Sequence, residues 1–154
     1  MKNKLFILIA ALFFAAGLSA ETVTLSGVKF VTTRTQVKDL GNGAFEVTIP
    51  PSQGWPMILI YPAQLPAAPA ELQVTVQKIA PVGNIPKRLR LLPEPSGCGP
   101  TIQLANSVLK DDKPHNVKVK LTSDKKKMAF FSIAAHAPEQ PIVFKISNIK
   151  VIEK

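Results

Sequence analysis

The sequence has one cysteine, few aromatic residues and only one long hydrophobic run, and each shortage limits which structures or ligands we expect. The single cysteine, Cys98, cannot form an intramolecular disulfide. It lies in a turn-rich stretch, 95–100, where a thiol either pairs with another molecule or remains unpaired. Aromatic residues make up 6% of the chain, with one Trp and one Tyr, so few flat side chains are available to stack on a ligand. No membrane-length run follows residue 20, so we expect no membrane span in the mature chain.

Signatures of catalysis and of cofactor binding are also missing. There is no nucleophile elbow, no glycine-rich phosphate loop and no zinc-binding spacing. His115 and His136 are the only histidines, and we expect neither to bind a metal. Two Ser-x-x-Lys matches, 123–126 and 147–150, fall in a predicted hairpin tip and a predicted strand, whereas that motif requires a helix. The sequence therefore predicts no metal, no cofactor and no enzymatic activity.

An export signal opens the chain. Lys2 and Lys4 precede an apolar run over residues 5–16, and small residues follow at positions 17, 19 and 20. That order predicts a secretory signal peptide over residues 1–20, cleaved after Ala20, with an uncleaved N-terminal anchor as the alternative. We expect one mature domain, residues 21–154, in the periplasm or the medium. The whole chain has a net charge of +9, and outside the cell such a charge meets anionic polymers rather than nucleic acid.

Hydrophobic residues alternate with polar ones along most of the mature chain, and fourteen prolines interrupt any long helical pattern. Period-two alternation is typical of strands with one buried face. Segment 101–109 suits either a strand or a helical turn. A bulge at Ser147–Asn148 would keep Phe144, Ile146, Ile149 and Val151 on one face. Eight to ten short strands predict an all-β fold, an antiparallel β-sandwich of jelly-roll type. The predicted runs are Val23–Phe30, Ala44–Ile49, Met57–Tyr61, Glu71–Gln77, Leu89–Leu92, Asn116–Leu121, Met128–Ala134 and Ile142–Ile152.

Three places in the sequence resemble the jelly-roll modules of the galactose-binding-like and carbohydrate-binding superfamily. They are 43–49 with Trp55 and the strand after it, 71–79 with 88–91, and the final strand over 144–151. The resemblance covers nearly the whole mature chain and implies a jelly-roll fold with a sugar-binding role. The chain departs from the family pattern at Pro69–Leu72, where a Gly and a Tyr are usual. It departs again at Met57–Leu59, where a polar cleft residue is usual, and at Ser147, which replaces an Asp that can help hold calcium.

Four residues are the candidate ligand contacts: Trp55, Tyr61, Arg88 and Arg90. Trp55 and Tyr61 are possible stacking surfaces for a sugar, although large aromatics are more often buried. Alternation places Arg88 and Arg90 on one face of a strand, and a guanidinium can hold two oxygens of a carboxylate or sulfate at once. An ordinary solvent-exposed face is the alternative interpretation of the arginines.

Three functions remain open at this point. The leading hypothesis is an exported, non-catalytic binding module for a glycan or another anionic surface polymer. The second is a structural β-sandwich that contacts a protein partner through a sheet face or edge. The third is a small periplasmic enzyme.

Overall fold

The computed structural model describes residues 21–25, 28–61, 70–80, 89–94, 99–121 and 130–153. These residues form eleven strands and one helical turn. In chain order they are β1 (Glu21–Leu25), β2 (Val28–Thr33), β3 (Gln36–Gly41), β4 (Ala44–Ile49), β5 (Met57–Tyr61), β6 (Ala70–Ala80), β7 (Arg90–Glu94), β8 (Ile102–Gln103), α1 (Leu104–Ser107), β9 (His115–Leu121), β10 (Phe130–Ala134) and β11 (Ile142–Glu153).

The strands form two antiparallel sheets. The six-stranded sheet has the order β1-β2-β5-β10-β7-β8, and the five-stranded sheet has the order β3-β4-β11-β6-β9. Successive strands repeatedly change sheet, as they do when β2 continues into β3 and β4 into β5. This arrangement confirms the predicted antiparallel sandwich of jelly-roll type.

The core lies between the two sheets and is made by the alternate residues of each strand. In β4, Phe45, Val47 and Ile49 are buried, while Glu46 and Thr48 lie on the outer face. The rings of Phe30 and Phe45 meet edge to face across the sandwich, with centroids 4.8 Å apart. The period-two pattern therefore identifies the buried face of β4 correctly.

The ambiguous segment 101–109 contains both predicted structures. Ile102–Gln103 pairs with β7 as a short strand, and the chain then makes the single helical turn α1. Leu104 and Leu109 are fully buried, so the turn closes one end of the core.

The structure corrects the strand predictions in two places. The run Val23–Phe30 is not one strand but an antiparallel hairpin, in which Leu25 pairs with Val28. The edge strand β3 was not predicted. It pairs with β4 through a turn at Asn42–Gly43, where both residues have positive φ, as tight hairpins of this kind require.

The predicted bulge near the end of the chain is confirmed. The register of β11 against β6 shifts between Ser147 and Lys150, and Asn148 has a φ of 51°. Phe144 and Ile146 are buried before the shift, and Ile149 packs against the core after it.

Several sequence predictions lie outside the described residues. They concern the signal peptide over 1–20, Arg88, Cys98 and the hairpin tip at 123–126. Within the described part of the chain, no helix has the length and apolar character needed to cross a membrane.

Candidate functional site

The outer face of the six-stranded sheet carries the candidate site. Cross-strand pairing aligns Arg90 of β7, Ala134 of β10 and Met57 of β5 in one row. The next row contains Leu92, Ser132, Leu59 and Val31, and the pair Tyr61–Lys29 lies beyond it. Most of these outward side chains are apolar and half-buried. A charged residue in the first row therefore stands out from its surroundings.

Two connections are joined at the end of the sheet where this row lies. The backbone N–H of Ala137 donates to the carbonyl of Gly54 at 2.7 Å, and the N–H of Ser52 donates to the carbonyl of Pro138 at 3.1 Å. Arg34 adds a hydrogen bond from its guanidinium to the carbonyl of Gln53. Gly54 has a φ of 79°, a conformation that glycine adopts without strain. These contacts fix the segment that carries Trp55 against the segment that carries His136.

Trp55 lies between two other side chains at this end. The guanidinium carbon of Arg90 is 4.2 Å from the centroid of the indole ring. The imidazole of His136 lies on the same indole with centroids 4.7 Å apart and a tilt of 57°. A cation over an aromatic face within about 6 Å is attracted to it, and the attraction is strongest for Trp. Arg90 is thus held in place by the ring beneath it.

The guanidinium of Arg90 makes no hydrogen bond and no ion pair within the described part of the chain. Its Nε is buried and has no hydrogen-bond partner. A guanidinium carries five N–H donors, and a buried donor without a partner costs about 1–3 kcal/mol. The guanidinium can therefore donate hydrogen bonds to ligand oxygens, carboxylates above all, without first breaking bonds inside the protein.

Tyr61 lies at the far end of β5 from Trp55. It is directly opposite Lys29 on β2, and the Lys29 ammonium is 5.1 Å from the centre of the phenol ring. Met57 and Tyr61 are four residues apart on the strand, which separates the two ends of this face by about 13 Å.

β10, which lies between β5 and β7, forms the middle of this face. Ser132 and Ala134 point to the outer face, yet both are almost completely buried. Both are small, and the register places Leu59 and Leu92 on either side of Ser132. The larger side chains on each side therefore cover β10, and the residues at the two ends of the face are more accessible.

The structure brings together two of the four predicted ligand residues. Trp55 and Arg90 are in contact, Tyr61 lies on the same face but at the other end of β5, and Arg88 is outside the described residues. Sequence reasoning missed His136 and Lys29. No local pattern marks His136. Lys29, by contrast, directly precedes the core residue Phe30, so alternation predicts that it faces outward.

A second polar cluster lies away from this face, in the turn before β9. Nε2 of His115 is 2.6 Å from Oδ1 of Asp111, and the same oxygen accepts the backbone N–H of Lys113 at 3.0 Å. The hydrogen bond with His115, followed by that with Lys113, lowers the pKa of Asp111 below its usual value of 3.8. This pair was not predicted, although its spacing of four residues is visible in the sequence. Among the described residues, no three His, Cys, Asp or Glu side chains cluster as a metal site would require.

Comparison with solved structures places this fold among the jelly-roll carbohydrate-binding modules. A mutant of a family 29 carbohydrate-binding module matches 88% of this chain and 90% of its own, with a TM-score of 0.53 and 12% identity. Another mutant of that module, in complex with mannohexaose, matches 86% of this chain and 84% of its own, with a TM-score of 0.51 and 14% identity. An exo-β-agarase matches 86% of this chain with a TM-score of 0.57 and 9% identity, but over only 24% of the enzyme.

At such low identity these similarities show the fold alone. No protein-family model and no curated protein matches the sequence.

Proposed function

We propose that this chain is an exported, non-catalytic module that binds an acidic glycan on the outer face of its six-stranded sheet. The observation that carries the proposal is Arg90, whose guanidinium is held over Trp55 and makes no hydrogen bond or ion pair within the described chain. Positioning a ligand-binding group before the ligand arrives reduces the entropy lost on binding.

The length of this face supports a chain-like ligand rather than a single sugar. Trp55 and Arg90 lie at one end of it, and Tyr61 and Lys29 lie at the other. Each end offers a cation beside an aromatic ring, and the two ends are about 13 Å apart along β5. A glycan with repeated acidic groups could contact both cations at once.

The role of Arg90 favours an acidic ligand over a neutral one. A neutral sugar binds to an aromatic platform by laying its ring on the exposed face, but Arg90 already covers one face of the indole. A carboxylate or sulfate would instead bind the guanidinium from its open side, through two parallel hydrogen bonds. Trp55 then acts as the support for Arg90.

Export and the absence of catalysis belong to the same proposal. The sequence pattern of residues 1–20 supports export, and cleavage after Ala20 would keep all the strands of the described residues. The solved carbohydrate-binding modules of similar fold support a non-catalytic role.

A fluorescence titration tests the proposal. The chain has one tryptophan, so its emission reports directly on this site. Polygalacturonate and heparin are titrated into wild type, Arg90→Ala and the control Lys150→Ala, which removes one exposed lysine from the opposite sheet. Hydrogen bonds to charged groups contribute about 1.5–3 kcal/mol, so Arg90→Ala should bind at least about tenfold more weakly.

The control variant should bind as tightly as wild type. Failure of wild type to bind either polymer at low ionic strength would overturn the proposal and favour a protein-interaction domain. Equal weakening by Arg90→Ala and Lys150→Ala would also overturn it, because binding would then depend on overall charge rather than on this site.

A further inference from the structure

A second concave feature lies at the same end of the sandwich but against the other sheet. A cleft of about 360 Å³ opens beside the hairpin of β3 and β4, and small-molecule sites typically span roughly 300–1,000 Å³. Its lining is dominated by polar side chains from three strands and the link between β2 and β3: Thr32, Thr35, Gln36, Lys38, Glu46 and Thr48.

Most of these polar groups have no partner within the described chain. Thr35 donates its hydroxyl to the carbonyl of Met57 at 2.9 Å. The side chains of Thr32, Gln36 and Thr48 make no hydrogen bond to another described residue. Thr32 is only 4% exposed as a residue, and it is one of the residues that line the cleft. The cleft therefore presents donors and acceptors that await an outside partner.

The charges in the cleft balance. Lys38 and Glu46 are direct neighbours across the β3–β4 ladder, yet they form no ion pair. Directly opposed side chains on adjacent strands have Cβ atoms about 5 Å apart, so an ion pair is within their reach. Within the lining they offer one strong donor and one strong acceptor with no net charge, and Lys145 of β11 is the neighbour of Glu46 on its other side.

We infer that this cleft binds a single neutral sugar unit, independently of the acidic-glycan site proposed above. Hydroxyl, amide, ammonium and carboxylate groups together match the alternating donors and acceptors of a pyranose ring, whose hydroxyls serve as both. The methyl groups of the threonines provide apolar contact for its C–H groups. The carboxylate of Glu46 is part of the lining and would repel an acidic sugar, which distinguishes this cleft from the surface around Arg90.

Backbone amide NMR of the purified protein tests the inference. D-galactose and D-mannose are titrated, with glycerol and sodium D-glucuronate as comparators. We expect one of the hexoses to shift the amides of Gln36, Lys38, Glu46 and Thr48 saturably, with a Kd of about 1–10 mM. The indole N–H signal of Trp55 should stay in place, so the result is separable from the outcome at the other site.

Two variants and a control locate the binding. Thr48→Val keeps the shape of the side chain but removes its hydroxyl, and Glu46→Gln removes the negative charge. Each should weaken hexose binding about tenfold, the value of roughly one hydrogen bond to a charged or well-placed partner. Thr101→Val, at an exposed position outside the cleft, should leave binding unchanged, and dispersed amide spectra would show that each variant is folded.

Three results would overturn the inference. The first is the absence of saturable shifts in these amides with either hexose up to about 100 mM. The second is an equal response to glycerol, or a stronger one to glucuronate. The third is hexose binding that neither variant weakens.

Discussion

At the scale of single residues, the contact between Arg90 and Trp55 decides what kind of ligand the site suits. The indole supports a cation on one face and His136 at a tilt of 57°. It is therefore less available as a platform than an isolated tryptophan would be. The chemistry open to a ligand is that of the guanidinium, which favours planar oxyanions.

Alternation around Leu89 and Leu91 correctly predicts that Arg90 faces outward, because both leucines are buried. The position of Trp55 beneath it could not be predicted. That position depends on hydrogen bonds between two connections far apart in the sequence, such as Ala137 N–H to Gly54 carbonyl. Backbone contacts of this kind involve no particular side chain, so they leave no pattern in the sequence.

The Asp111–His115 pair makes stability depend on pH in acid. Its hydrogen bonds hold the pKa of Asp111 below 3.8 in the folded state, so the folded protein binds the proton less readily than the unfolded chain. The contribution is therefore fully present well above pH 3.8 and is lost as the pH falls through the lower, folded-state pKa. Asp111→Asn should lose this pH-dependent increment.

Urea unfolding of wild type and Asp111→Asn at about pH 6 and about pH 3 measures the effect. The gap in unfolding midpoint between the two proteins should be larger at the higher pH. The control is Asp112→Asn, whose side chain makes no hydrogen bond or ion pair with another described residue. A gap that is the same at both pH values would contradict the assignment.

At the scale of elements, the bulge in β11 is a local irregularity that keeps the strand packed on the core. Asn148 has a φ of 51°, and its side-chain amide donates to the hydroxyl of Thr75 at 3.2 Å. Asparagine tolerates this conformation better than most residues, whereas a β-branched residue does not. The extra residue lets Ile146 and Ile149 both face the core although their spacing is odd.

Substitution at Asn148 should separate backbone strain from the lost hydrogen bond. Asn148→Val should lower the free energy of unfolding by about 2 kcal/mol, because it combines a strained φ with loss of the bond to Thr75. Asn148→Gly loses the same hydrogen bond but adopts the conformation freely, so its cost should be under about 1 kcal/mol. Chemical denaturation of the three proteins provides the measurement, and equal losses in both variants would show that φ is not the cause.

The bulge was predictable because four large apolar residues had to share one face. The edge strand β3 was not, since Val37 is its one large apolar residue packed on the core, and short polar edge strands carry little alternation. The cleft could not be predicted for the same reason. In the sequence its lining looks like ordinary outward-facing residues, and only the β3–β4 register brings together Gln36 with Thr48 and Lys38 with Glu46.

At the scale of the whole molecule, the two outer faces differ in chemistry. The face of the six-stranded sheet is mostly apolar, with Arg90 and Lys29 at its two ends. The face of the five-stranded sheet is polar and rich in lysine, including Lys118, Lys145 and Lys150. A jelly roll needs only its inner faces to be apolar, so an outer face that is also apolar calls for an explanation beyond the fold. A ligand on that face provides one.

The net charge, which is +9 for the whole chain and +7 once Lys2 and Lys4 leave with the signal peptide, should act differently on the two proposed ligands. A positive molecule attracts an acidic glycan over distances of about 10 Å at 0.1 M salt, and added salt screens that attraction. Binding of polygalacturonate should therefore weaken several-fold between about 0.05 and about 0.5 M NaCl. A neutral hexose feels no such field, so its affinity for the cleft should stay within about twofold over the same range.

Titrations of both ligands across that salt series, by tryptophan emission for the polymer and by amide shifts for the hexose, make the comparison on one protein. Parallel weakening of both would mean that the cleft recognises charge. Constant binding of both would mean that charge attraction does not drive binding of the polymer at Arg90.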